Sequence, residues 1–303
     1  MLITFSHFTV LSIFYAVFLS QILLVSVFFP TQIRRRILYV LDHFPPAEYP
    51  KLYPCDNTGS SAVAIRERMR IYRFANTFIA AIGLVFLAGT AISGYQPSPK
   101  GGDEIFVFLY FALQVFPFLY LARMEYLQLK ALRKNYTGPR RADMRPRRLF
   151  DFVSPLIVVL AILLYFVWLF LFLSYQGSPA EWGTKVYISV TMISAINIFY
   201  AFFIYKSIYG KKIDPYQASE DRLRNIEFIA KSLIFTSITI SIFMITTQAV
   251  DHFELEIFDP PLMSVYLQMC SLMGIGLILT KLKVEDMNFE AYRGDANAPD
   301  GDQ

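Results

Sequence analysis

The chain has 303 residues, of which 55% are hydrophobic and only 17% charged. Soluble domains carry about 25% charged residues, so the composition excludes an ordinary water-soluble globule and points to lipid as the solvent. The formal net charge of +4 is modest, and no aromatic-basic recognition module accompanies it, which argues against a nucleic-acid partner.

Roughly 20 apolar residues cross the hydrocarbon core as a helix; an open strand cannot replace them, because its backbone groups would stay unsatisfied. Seven such spans are predicted. The first, Phe8–Phe29, lacks a basic leader and a small-residue cleavage site, and Arg34, Arg35 and Arg36 follow it. It therefore reads as an uncleaved anchor and not as a signal peptide. Next come Phe74–Ser93 and Ile105–Ala122. The fourth, Phe152–Ser174, is apolar on every side, as expected of a helix that faces lipid. Val186–Tyr205, Phe228–Val250 and Leu262–Thr280 complete the set, the last being the least hydrophobic.

The charges orient these spans. All but Lys100 and Lys185 of the 28 Lys and Arg residues fall after spans one, three, five and seven, or in the first turns of the spans that follow. The positive-inside rule makes that face cytoplasmic, with the N-terminus outside and the C-terminus inside. The expected fold class is thus all-α: a polytopic membrane protein with one seven-helix domain over 1–283 and a polar cytoplasmic tail over 284–303, its end disordered. The expected location is the plasma membrane, or the inner membrane of a Gram-negative cell. YQPSP at Tyr95–Pro99 and YQGSP at Tyr175–Pro179 sit at equivalent outer turns. Their match suggests a duplicated hairpin, giving one leading helix plus three helical hairpins.

Cytoplasmic loops end in basic stretches, RERMRIYRF, RPRRLFDF and EDRLRNIEF, that run into the next span. Arginines so placed snorkel to anionic headgroups. Arg34, Arg35, Arg36, Arg145, Arg147 and Arg148 are the candidate lipid contacts. The first loop holds FPPAEYPKLYP, whose prolines favour a stiff extended segment. It is read as a rigid lid on the bundle, or else as a docking peptide for a membrane or cytoplasmic protein.

The outer loop DHFELEIFDPP carries Asp251, His252, Glu254, Glu256 and Asp259 without EF-hand or zinc spacing, so it is expected to be solvated and metal-free. His7 and His252 both sit near the outer face, but nothing beyond their number suggests axial haem ligation. The two cysteines, Cys55 and Cys270, fall on opposite sides of this topology, and no cofactor is expected.

No Asp, Glu, Lys or Arg lies near mid-depth, which counts against a proton pump or carboxylate antiporter. Lys281 closes span seven and does not lie within it, which removes a retinal-type Schiff base. The chain has no GxSxG, Walker A or HExxH sequence, and a catalytic set is therefore not assigned. Neutral amides show a pattern instead. Each outward-to-inward helix carries one near mid-depth: Gln21, Gln114, Asn197 and Gln268. Thr236 and Thr239 lie on a polar stripe of span six. Buried amides in lipid need partners, and two functions follow. The first is a non-enzymatic sensor or accessory docking subunit in which the amides join helices. The alternative is a transporter or channel for a neutral or lipid-like solute, with these six residues lining its ligand site.

Overall fold

The computed structural model describes residues 7–53, 62–98, 101–134, 136 and 147–294. The side chain of His7, together with Cys55 and Arg145, lies outside the described residues. Seven helices are long and apolar enough to cross a membrane, and no strand occurs among the described residues.

The first span, Thr9–His43, lies within one continuous helix. It comprises α1 (His7–Gln21), a π-helical segment (Ile22–Phe28) and α2 (Phe29–His43). Pro30 accounts for the wider segment: proline has no N–H to donate, and its ring crowds the preceding turn of an α-helix. Spans two to six are α3 (Ala62–Ile92), α4 (Glu104–Lys134), α5 (Pro155–Tyr175), α6 (Thr184–Tyr209) and α7 (Ser219–His252). The seventh is again interrupted: α8 (Asp259–Ser271), a π-helical segment at Leu272–Gly276 holding two glycines, and α9 (Leu277–Lys281).

Most helices outrun their apolar runs. The 31 residues of α3 rise about 46 Å against a hydrocarbon core of about 30 Å. The basic stretch after Ala62 is consequently helical, not a loop, and Arg66, Arg70 and Arg73 are carried on α3 itself.

Two hydrophobic clusters organise the bundle. One joins Phe14, Phe18 and Ile22 of the first span to Ile79 of α3, Tyr110 of α4 and Leu267 of α8. The other joins Ala161 of α5, Ile204 and Ile208 of α6, and Ile226 and Ile234 of α7. α7 packs on α8 and ties the two groups together. Ser232 Oγ donates to the Met273 carbonyl at 2.6 Å, and the rings of Phe243 and Tyr266 stack at 4.1 Å across that seam. Spans six and seven therefore meet inside the bundle, as their small residues suggest.

α5 does face outward over most of its surface, but Ala161 and fully buried Trp168, seven residues apart on one stripe, turn inward. α5 and α6 both pack chiefly on α7, so the fourth and fifth spans flank the sixth and do not form a closed pair. The Tyr165 hydroxyl, 2.7 Å from Ser194 Oγ, links them. The turn between them also differs from the one between α3 and α4. Tyr95 donates to Asp103 Oδ2 at 2.8 Å, whereas Tyr175 is exposed and its ring lies 5.0 Å from that of His252. Both turns use a left-handed glycine, Gly94 and Gly177.

Candidate functional site

The structure gathers three of the four predicted mid-membrane amides into one hydrogen-bonded network. Gln21 and Gln114 are fully buried. Gln21 Nε2 donates to Gln114 Oε1 at 3.0 Å, and Gln114 Nε2 donates to Ser26 Oγ at 2.8 Å. Ser264 Oγ donates to Gln21 Oε1 at 2.6 Å. Half-buried Gln268 closes the edge: its Nε2 donates to the Val17 carbonyl at 3.1 Å, and its Oε1 accepts from Ser20 Oγ at 2.9 Å. Spans one, three and seven are thus joined through groups that satisfy one another. The network borders the π segment of span one, since Gln21 precedes it and Ser26 lies within it.

Asn197 stands apart. Its Nδ2 donates to the Ile193 carbonyl at 3.0 Å, and its Oδ1 accepts from Ser237 Oγ, which joins α6 to α7. Thr236 and Thr239 bond back to carbonyls of their own helix, at Ser232 (2.8 Å) and Phe235 (2.9 Å). This use of the hydroxyls is common in apolar helices. The six predicted ligand residues therefore occupy two separate places, one in each helix group.

The candidate lipid-contact arginines divide as well. Arg36 donates from its guanidinium to the Ile278 carbonyl at 3.1 Å, holding α2 against the end of span seven. Arg35 is exposed. Arg147 and Arg148 precede a short turn in which the Arg148 N–H donates to Asp151 Oδ2 at 2.8 Å. Arg34 lines an open pocket of about 340 Å³ between α2 and α3, with Arg66, Arg70, Arg73 and Asp42 around it. Arg66 and Asp42 pair at 2.8 Å. This pocket lies roughly 20 Å along the first span from Gln21 at 1.5 Å per residue.

A cap covers the same face. Tyr49 from the proline-rich loop packs with Phe289 and Tyr292, and with the ring of Phe44. Tyr49 Oη donates to Glu290 at 3.3 Å, Tyr292 Oη donates to Asp214, and the Gly294 N–H donates to the Glu48 carbonyl at 3.1 Å. Gln128 donates to the Leu52 carbonyl at 2.9 Å, and Arg224 to the Asp286 carbonyl at 2.9 Å. The proline-rich loop, the α6–α7 connection and residues 284–294 therefore form one unit, and the proline-rich loop lies as a lid on the bundle.

Burial and nearby carboxylates resist phenolate formation in this cap. Burial, then Glu290, raises Tyr49; burial, then Asp214, raises Tyr292; burial, then Asp42, raises Tyr53 to about 12. Groups whose folded pKa exceeds the unfolded value contribute stability that is whole below pH about 10 and is lost above it. The cap should hold below pH about 10 and lose stability progressively as the pH rises above it. Ultraviolet titration of the phenolates checks this: a chain ending at Lys283 should titrate Tyr49 earlier than the full chain, and coincident curves would refute the cap.

At the opposite face, Asp251, Glu256 and Asp259 stand near one another with Glu104. Among the described residues, no three His, Cys, Asp or Glu side chains are arranged to hold a metal ion.

Ser20 and Ser26 are single serines in apolar runs and carry no signal of their own in the sequence. Asp42 likewise gains meaning only beside Arg66. Fold and network together define a seven-helix multi-pass membrane protein. No family model matches the chain, and comparison with curated proteins and with solved structures returns no match.

Proposed function

We propose that this protein is a non-enzymatic sensor or accessory subunit that docks other membrane proteins. We place it in the plasma membrane, or the inner membrane of a Gram-negative cell, with its basic face in the cytoplasm and its N-terminus outside. The mutual satisfaction of Gln21, Gln114 and Gln268 supports this reading most. A solute pathway needs amides that offer free donors and acceptors to what passes, whereas these are engaged in joining helices. The outward faces of α5 and α6 add to it, with Phe170 73% and Ile198 69% exposed. Such faces are covered by lipid or by the helix of a partner. Anionic headgroups are the expected contact of Arg35, Arg147 and Arg148.

Reconstituted vesicles test the two functions. Efflux of small neutral solutes should equal that of protein-free vesicles, and Asn197→Leu should change nothing. Saturable efflux abolished by Asn197→Leu would establish transport instead. A photo-crosslinking residue at Phe170 or Ile198, used in native membranes, should give an adduct of one discrete protein mass. Adducts with lipid alone at both positions would remove the docking role.

A further inference from the structure

The pocket between α2 and α3 is more specific than a general contact of span ends with headgroups. The two helices run antiparallel. Arg66 meets Asp42 at 2.8 Å, while further along α3 the backbone at Gly83 lies against Ile22. From the Arg66–Asp42 pair toward the apolar belt, Leu38 comes level with Met69 and Arg70, and Arg34 with Arg73, since both helices advance about 1.5 Å per residue. Arg66, Arg70 and Arg73 have the i, i+4, i+7 spacing of one helix face.

Four guanidinium groups therefore share the lining with one carboxylate, and that carboxylate is already paired with Arg66. Arg34 Nε is buried and has no hydrogen-bond partner among the described residues. Neither Arg70 nor Arg73 forms an ion pair among them. A guanidinium cannot shed its proton to relieve a lost bond, so the group favours an anion with several acceptor oxygens. Depth narrows the choice. Ile71 and Phe74 are 56% and 72% exposed and alternate with Arg70 and Arg73 along α3. Phe28, 50% exposed, stands shortly before Arg34 on the first span. Lipid-facing residues thus begin within a turn or two of the arginines, which sets the pocket at headgroup level. Leu38 and buried Met69 supply an apolar wall beside the charges.

We propose that this pocket binds a phosphoryl group, with Arg34, Arg70 and Arg73 donating to its oxygens and Asp42 holding Arg66 at the rim; the depth of the site points to an anionic phospholipid as its source.

The test uses the full chain in nanodiscs of phosphatidylcholine, to which phosphatidylglycerol or inorganic phosphate is added. Native mass spectrometry counts retained lipid. The wild-type chain should retain one phosphatidylglycerol in preference to phosphatidylcholine, and Arg34→Gln with Arg73→Gln should weaken retention at least tenfold. Lys130→Gln with Lys134→Gln removes the same charge elsewhere and should leave retention unchanged. Leu38→Trp fills the pocket without altering charge and should also block retention, which separates a shaped site from diffuse attraction. Competition by millimolar inorganic phosphate would assign the site to the free ion; no competition would assign it to the lipid. Equal retention by the wild type and the Arg34/Arg73 variant, or equal loss in the lysine variant, would overturn the proposal. These readouts involve neither flux nor partner capture, so their failure leaves the docking proposal standing.

Discussion

Replacing Gly83 by alanine should destabilise the protein, although the same change in an exposed helix is favourable by about 1 kcal/mol. A Cβ at Gly83 would lie 2.5 Å from Tyr110 Cζ and 3.0 Å from Ile22 Cδ1. Real Cβ atoms do not approach so closely, so the Tyr110 ring must move and give up its 3.1 Å bond to the Ile79 carbonyl. Tyr110 belongs to the cluster that joins spans one, two, three and seven, so the displacement is felt by all four. Overpacking of this kind costs about 1–3 kcal/mol, and a longer side chain such as leucine costs more. Gly89 on the same helix has nothing within 4 Å of its would-be Cβ. Gly89→Ala should therefore be neutral or stabilising. Thermal loss of monodisperse protein in detergent separates the two. Equal melting of Gly83→Ala and Gly89→Ala would show that spans one to three do not approach as described.

Gln114→Leu should have the second large effect. It leaves Gln21 Nε2 without its 3.0 Å acceptor and Ser26 Oγ without its 2.8 Å donor, inside a core where both glutamines are 0% exposed. Polar contacts between membrane helices average near 0.6 kcal/mol, because the separated helices also find partners. A buried group left unsatisfied costs about 1–3 kcal/mol. The second magnitude governs here, since Gln21 stays fully enclosed and water cannot replace the missing amide. Gln21→Leu combined with Gln114→Leu removes both sides of the bond, so the double variant should lose less than the two single losses added together. Strict additivity would mean that the two amides do not interact.

The amide network also shows how much of the site is legible in the residues. Gln21, Gln114 and Gln268 are recognisable because amides are rare in apolar runs and because depth can be counted from the span ends. Their partners are not. Ser264 and Ser26 are among many small polar residues in these helices, and which of them faces a glutamine depends on the rotation of each helix about its axis. Asn197 illustrates the same limit from the other side. It lies at a similar depth to the glutamines, yet it bonds across α6 and α7 to Ser237. Depth along the normal is a property of one helix; lateral position belongs to the bundle.

The cap and the basic pocket extend the point to the loops. Proline density made the first loop stiff in expectation, but its cover was found only when Tyr49 met Phe289, Tyr292 and Glu290 at the far end of the chain. The arginines after Ala62 were legible as interfacial charge. That Arg66, Arg70 and Arg73 share a wall with Arg34 and Asp42 required α3 to continue as helix beyond its apolar run, and α2 to lie antiparallel to it.

By itself, then, the sequence determined the number of spans, their order and which loops carry positive charge. Hydropathy and charge are local sums along the chain, and a bilayer converts them directly into topology. Tertiary structure decided which amides meet, how α7 comes between α5 and α6, and where four arginines line one pocket. Those outcomes depend on the rotation and lateral packing of helices that are almost equally apolar on many faces, so they rest on a few close contacts, such as Tyr110 against Gly83, that no local sum contains.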